Sequence, residues 1–183
     1  MFKKTLKLAI LTLLTYLVQA TIPPLIPVFD IAPNIAMAVL AVVSIALGIK
    51  YTLFMSIIIG YFLEITQPAV NYINTLIYPI CAVLIGMIFA DKSERKISED
   101  RARQKQTKQL HPLLRTVFCA AVSMALFEFV FLMYTYLSGV TLTFDRFIRA
   151  LISVLYTTAI TAVLQFPLRL SLGIHKQKKK KSA

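Results

Sequence analysis

The stretch Ile35–Ile65, IAMAVLAVVSIALGIKYTLFMSIIIGYFLEI, decides how the rest of the chain is read. It is almost wholly apolar and is broken near its middle by Gly48 and Lys50. A helix needs about 20 residues, within a range of roughly 17–25, to cross a hydrocarbon core of about 30 Å. The whole stretch is too long for one crossing and carries a lysine at its centre. Each half, Ile35–Ile49 and Tyr51–Ile65, is short for a crossing. The reading is a tight pair of helices turning at Gly48 and Lys50. Short interrupted apolar runs also mark re-entrant elements, so a re-entrant hairpin is the alternative.

Similar runs flank this pair on both sides, at 6–22, 73–90, 113–137 and 147–172. Pro23, Pro24, Pro27 and Pro33 punctuate the first connection, where proline cannot continue a helix. Pro68 ends the third run, Pro112 opens the fifth at a position where its missing N–H costs nothing, and Ser138-Gly139 closes it. The expected fold is all-α: a polytopic membrane protein with six transmembrane helices in a single integral membrane domain over 1–183. A polar loop at 91–112 and a basic tail at 173–183 complete it. Lys3-Lys4, the apolar stretch and Val18-Gln19-Ala20 also have the form of a signal peptide. The run is long for a signal core and continues into Ile22, so a retained first helix is expected.

Composition agrees. Of the 183 residues, 58% are hydrophobic and 15% charged, with a mean hydropathy of +0.74. A soluble domain carries about 25% charge and about 45–50% apolar residues, so a soluble globule and a disordered chain are excluded. Cys81 and Cys119 both lie inside apolar runs, which excludes a disulfide scaffold. His111 and His175 stand apart from any other metal-ligand residue cluster. No G-x-S-x-G, no H-E-x-x-H and, with five glycines in all, no phosphate-cradling loop is present. The sequence points to no catalytic site, no cofactor and no metal.

The net charge of +12 is a topology signal before it is anything else. With a cytoplasmic N-terminus and six crossings, only Arg146 and Arg149 of the 20 Lys and Arg fall outside. That asymmetry predicts an N-in, C-in protein by the positive-inside rule and explains the charge without nucleic acid. Asp91 with Arg95 and Glu99 with Arg103 are acid-first pairs four residues apart, favourable on a helix extending into the cytoplasm. The basic loop and the Lys178–Lys181 tail would attract anionic lipid, at about 1 kcal/mol per lysine.

Acids within apolar runs are costly and mark functional candidates. Two are present, Glu64 and Glu128. Ser56, Gly60 and Glu64 share one helix face, whose small residues admit a close neighbour; Ala82, Gly86 and Ala90 form a second such face. Both are candidates for a helix interface or a partner. Glu128 needs a proton, a partner or a polar cavity, and Arg149 at the start of the sixth run is the expected partner. Tyr72, Tyr78, Tyr134 and Tyr136 are expected at the outer boundary, in an aromatic belt.

The order of these features resembles the MreD family, the rod shape-determining membrane proteins of bacteria. The resemblance rests on Ala32-Pro33-Asn34, the short helix pair with Gly48, Gly60-Tyr61-Phe62-Leu63-Glu64, the polar outer turn and Gly86. This chain has Asn34 and Glu64 where the family usually has Asp, and Asn71 to Asn74 where the family has a turn glycine. The resemblance implies a non-catalytic component of the complex that inserts peptidoglycan along the side wall. It implies an MreC-like single-pass membrane protein as partner, with other elongation-complex proteins beyond it, in the bacterial cytoplasmic membrane. It also implies a fold similar to the substrate-binding subunits of energy-coupling-factor vitamin transporters, which supply the alternative function. Against that alternative, the chain lacks tryptophan, and Leu6–Ile22 lacks the Ala-x-x-x-Ala contact typical of those subunits.

The topology is testable directly. A cysteine replacing Ser98 is expected to react with a membrane-impermeant thiol reagent only from the cytoplasmic side, and one replacing Val70 only from outside. Labelling of both from the same side removes the six-crossing arrangement.

Overall fold

The structure is a computed structural model that describes residues 2–29, 31–66, 72–89 and 111–172. The described residues form six α-helices and one short 3-10 turn at Pro23–Leu25. The helices are α1 (Phe2–Thr21), α2 (Ile35–Leu47), α3 (Ile49–Thr66), α4 (Ile73–Phe89), α5 (Pro112–Leu137) and α6 (Phe144–Ser171). Ala90, the loop 91–110 and the tail 173–183 lie outside the described residues.

The hairpin at the centre of the sequence is present, but its turn is tighter than expected. Gly48 alone makes it, at φ +91°, a conformation that side-chain-bearing residues rarely adopt. Lys50 is not in the turn; it lies in the first turn of α3. That one-residue turn lets α3 start at Ile49 and reach 18 residues, long enough to cross a membrane. Four helices meet that condition: α1, α3, α5 and α6. The fourth run, expected to qualify, gives a 17-residue helix, and α2 has only 13 residues. At 1.5 Å per residue α2 spans about 20 Å, well short of a hydrocarbon core.

This short helix is the core. Ten consecutive residues, Ile35 to Ser44, are buried, on every side of the helix. A helix apolar all round belongs inside a bundle, and α1, α3, α4, α5 and α6 all pack on α2. Neighbours run antiparallel. Gly60 of α3 meets the start of α4 while Gly86 near the end of α4 meets Ile49. Thr116 of α5 faces Arg169 of α6, and Gln19 of α1 reaches Ala36 of α2.

The outer helices show the pattern of a membrane protein. On α6 the buried residues are Ser153, Thr157, Thr161 and Gln165, all polar and four apart. Leu151, Leu155, Val163, Phe166 and Leu170 point outwards, each more than half exposed. Ile10, Leu13 and Leu14 do the same on α1. Small hydroxyl residues inside and large aliphatics outside suit a helix surrounded by lipid, where close approach and hydrogen bonding hold helices together. The described chain is therefore an all-helical protein of multi-pass membrane character.

Gly60 and Gly86, one from each small-residue face, both lie in the contact between α3 and α4. A Cβ at Gly60 would lie 2.8 Å from the backbone oxygen of Asn74 and 3.2 Å from the Thr75 Cα. A Cβ at Gly86 would lie 2.6 Å from the Ile49 side chain. The α3–α4 hairpin is thus pinned near both ends by glycines. Gly60→Ala is expected to lower the melting temperature in detergent more than Gly86→Ala. At Gly60 the obstacle is backbone, and overpacking of about 1–3 kcal/mol outweighs the gain of about 1 kcal/mol in helix propensity. At Gly86 the Ile49 side chain can yield, so the alanine loss is smaller, whereas Gly86→Leu separates the helices. Equal melting of wild type and Gly60→Ala would show that the contact is looser than this geometry.

Candidate functional site

A buried helix N-terminus presents backbone N–H groups that its own helix cannot satisfy. The start of α2 is such an end, and its own cap residue and three other helices supply its partners. Asn34 is the N-cap, its side-chain oxygen accepting from the Met37 N–H at 3.0 Å. The Asn34 N–H itself donates to Thr157 Oγ1 of α6 at 3.1 Å. The Ala36 N–H donates to Gln19 Oε1 of α1 at 2.9 Å. Tyr78 of α4 donates its hydroxyl to Asn34 Oδ1 at 3.1 Å. Asn34, Gln19, Thr157 and Tyr78 are all buried. Tyr78, expected in an outer aromatic belt, is instead 3% exposed and packs against Phe127 with the rings tilted by 60°. Tyr72, Tyr134 and Tyr136 are exposed.

Glu64 closes a second helix end. Its carboxylate accepts from the Tyr72 N–H at 2.8 Å, the Asn74 N–H at 2.9 Å and the Thr75 N–H at 3.4 Å. It therefore caps α4 from the end of α3, where a negative charge also opposes the helix dipole. Tyr72 sits at φ +63°, a strained conformation for a residue with a side chain, and its N–H is held by Glu64. Ser56 is buried on the same face of α3 and donates to the Leu53 carbonyl. Ala82 and Gly86 are buried in α4, and Ala90 lies outside the described residues.

The third site is a cavity of about 610 Å³ between α5, α6 and the Ile31–Ala32 segment. Glu128 and Arg149, expected to face each other, both line it. Among the described residues they do not close into a direct ion pair; Ser153 of α6 lines the same cavity. Asp145 and Arg146 also line the cavity, with Phe131 and Leu132 as its apolar wall. On α6 the residues Asp145, Arg149, Ser153 and Thr157 step inwards by one turn each. The cavity therefore leads towards the Asn34 cluster.

At the opposite end, Arg169 of α6 donates to Thr116 Oγ1 of α5 at 2.6 Å. An apolar groove of about 390 Å³ separates α1 from α6 there, lined by Ile10, Leu11, Leu14, Pro167 and Leu168, with Lys7 at its edge. Among the described residues no group of three or more His, Cys, Asp or Glu is placed to hold a metal. Cys81 and Cys119 are buried free thiols.

No family model, curated protein or solved structure matches this chain.

Two residues of the Asn34 cluster carried a legible signal. Asn34 directly follows Pro33 and precedes an apolar run, the pattern of an N-cap. Thr157 lies on the four-residue polar stripe of α6. Gln19 and Tyr78 carried none, because each acts across the bundle. Asn34→Ala is expected to destabilise the protein by about 1–3 kcal/mol, since it removes a cap and strands buried polar groups. Tyr78→Phe loses one bond and is expected to cost less. Glu64→Ala is expected to lower the melting temperature more than Glu64→Gln, whose remaining oxygen still accepts. Thermal melts in detergent check this ranking; an Asn34→Ala protein as stable as wild type would show that the α2 end finds other donors and acceptors.

Proposed function

We propose that this protein is a non-catalytic membrane component of the bacterial cell-elongation complex. In this reading it supports peptidoglycan synthesis along the side wall by binding an MreC-like single-pass partner. The orientation is N-in and C-in, in the cytoplasmic membrane, with the basic loop and tail on the cytoplasmic side near anionic lipid. The family resemblance supplies the identity of the complex. The observation that supports partner binding is the groove between α1 and α6. Gly60 and Gly86 are both used in the α3–α4 contact, so a partner helix needs another surface. The groove is apolar, open along two exposed aliphatic helices, and walled near Pro167, where α6 loses a backbone hydrogen bond. A single transmembrane helix is the occupant such a groove suits, packing by shape in lipid.

The cavity of about 610 Å³ favours the second reading, a substrate-binding transporter subunit, because its size falls in the range of small-molecule sites. Co-purification separates the two. Under the first reading the tagged protein is expected to retain a single-pass partner, and depletion is expected to round the cell. Leu14→Trp, at a half-exposed groove position, is expected to release that partner by tenfold or more while the bundle still folds. Vitamin bound at nanomolar affinity, together with normal cell shape on deletion, reverses the order of the readings.

A further inference from the structure

The cavity between α5 and α6 has a chemistry that the partner-helix reading leaves unused. Its ionisable wall groups are two acids, Glu128 and Asp145, and two bases, Arg146 and Arg149. A site with equal numbers of each sign discriminates against a simple anion or a simple cation. The groups are also ordered in depth. Asp145 and Arg146 lie in the first turn of α6, Arg149 one turn further in, and Ser153 one turn beyond that. Each four-residue step along a helix advances about 6 Å. Glu128 of α5 lines the same cavity as Ser153, which is buried. Along α6 the buried hydroxyl therefore lies at the floor, and Asp145 and the guanidinium groups lie towards the mouth.

The floor has spare capacity. A carboxylate offers about four acceptor positions, and Ser153 adds a hydroxyl to the same cavity wall. Phe131 and Leu132 beside it offer no polar atom. A primary ammonium brings three donors and a compensating charge. A quaternary ammonium brings the charge without a donor. One turn outward, Arg149 and Arg146 present planar donors suited to a phosphate or carboxylate.

We propose that this cavity binds a small zwitterionic group, with its primary ammonium on Glu128 and Ser153 and its anionic end on Arg149 and Arg146. The group can belong to an ethanolamine phospholipid or to a free amino-phosphate or amino acid in solution. The proposal needs only the cavity and stands apart from the identity of any protein partner.

The test uses the full chain, purified in detergent and offered four probes. They are phosphatidylethanolamine, phosphatidylcholine, phosphoethanolamine and phosphocholine, with retention read by native mass spectrometry. At least one ethanolamine probe is expected to bind ten times or more tighter than its choline counterpart. Preference confined to the lipid pair identifies a headgroup as the source; preference in the soluble pair identifies a free solute. Glu128→Gln is expected to abolish the preference, and Arg149→Gln to weaken both members of the preferred pair by tenfold or more. Arg149 is exposed at the cavity wall, so its replacement keeps the test valid even where Glu128→Gln fails to fold. Equal retention of ethanolamine and choline forms, no retention of any probe, or affinity unchanged by Arg149→Gln each overturns the proposal.

Discussion

The structure depends on one constraint: the N-terminus of α2 is buried, and its backbone N–H groups must be satisfied without water. An unpaired polar group in such a place costs several kcal/mol in lipid-like surroundings. The chain meets this by sending one side chain from each of three helices to the same point. Gln19 serves Ala36, Thr157 serves the Asn34 backbone, and Tyr78 shares the Asn34 oxygen with Met37. These bonds fix the height of α1, α4 and α6 relative to α2. Apolar contact in lipid gives little driving force between helices, so directional bonds of this kind set the register that packing alone leaves loose.

The α3–α4 hairpin repeats the same solution at a second helix end. Glu64 provides three acceptor contacts to the first N–H groups of α4, and Gly60 lets those groups come close enough to reach it. The spacing of Gly60 and Glu64 thus has a physical reason. The glycine brings the α4 backbone in, and one turn later the carboxylate receives it. A chain with Asp at this position has a side chain one carbon shorter and must draw α4 nearer to make the same bonds.

Much of this was legible in the sequence. The six apolar runs give six helices, because long apolar stretches punctuated by proline and glycine leave the backbone few alternatives. The position of the hairpin was legible from Gly48. Its exact turn was not, because the charge of Lys50 interrupts the apolar run, whereas the turn is set by the positive φ of Gly48. The third run read from the sequence is therefore shorter than α3, which starts at Ile49. The role of Tyr78 was hidden because an aromatic hydroxyl near a helix end suits a membrane boundary and a buried hydrogen bond equally well. Ala82 and Gly86 were legible as an interface, but which helix they meet was not, since spacing gives a face and not its neighbour.

The polar stripe of α6 links these pieces. Ser153, Thr157, Thr161 and Gln165 are the buried face of a helix whose outer face is leucine, valine and phenylalanine. Thr161 donates back to the Thr157 carbonyl, and Gln165 to the Ala162 carbonyl, so both are partly satisfied within their own helix. Thr157 is different, because its hydroxyl oxygen accepts from Asn34 across the bundle. Ser153 is different again, because it lines the cavity that Glu128 also lines. The stripe therefore changes role along its length, from close packing at Thr161 and Gln165, through a structural bond at Thr157, to the cavity wall at Ser153. One turn of helix separates the bond that holds α2 in place from the floor of the cavity.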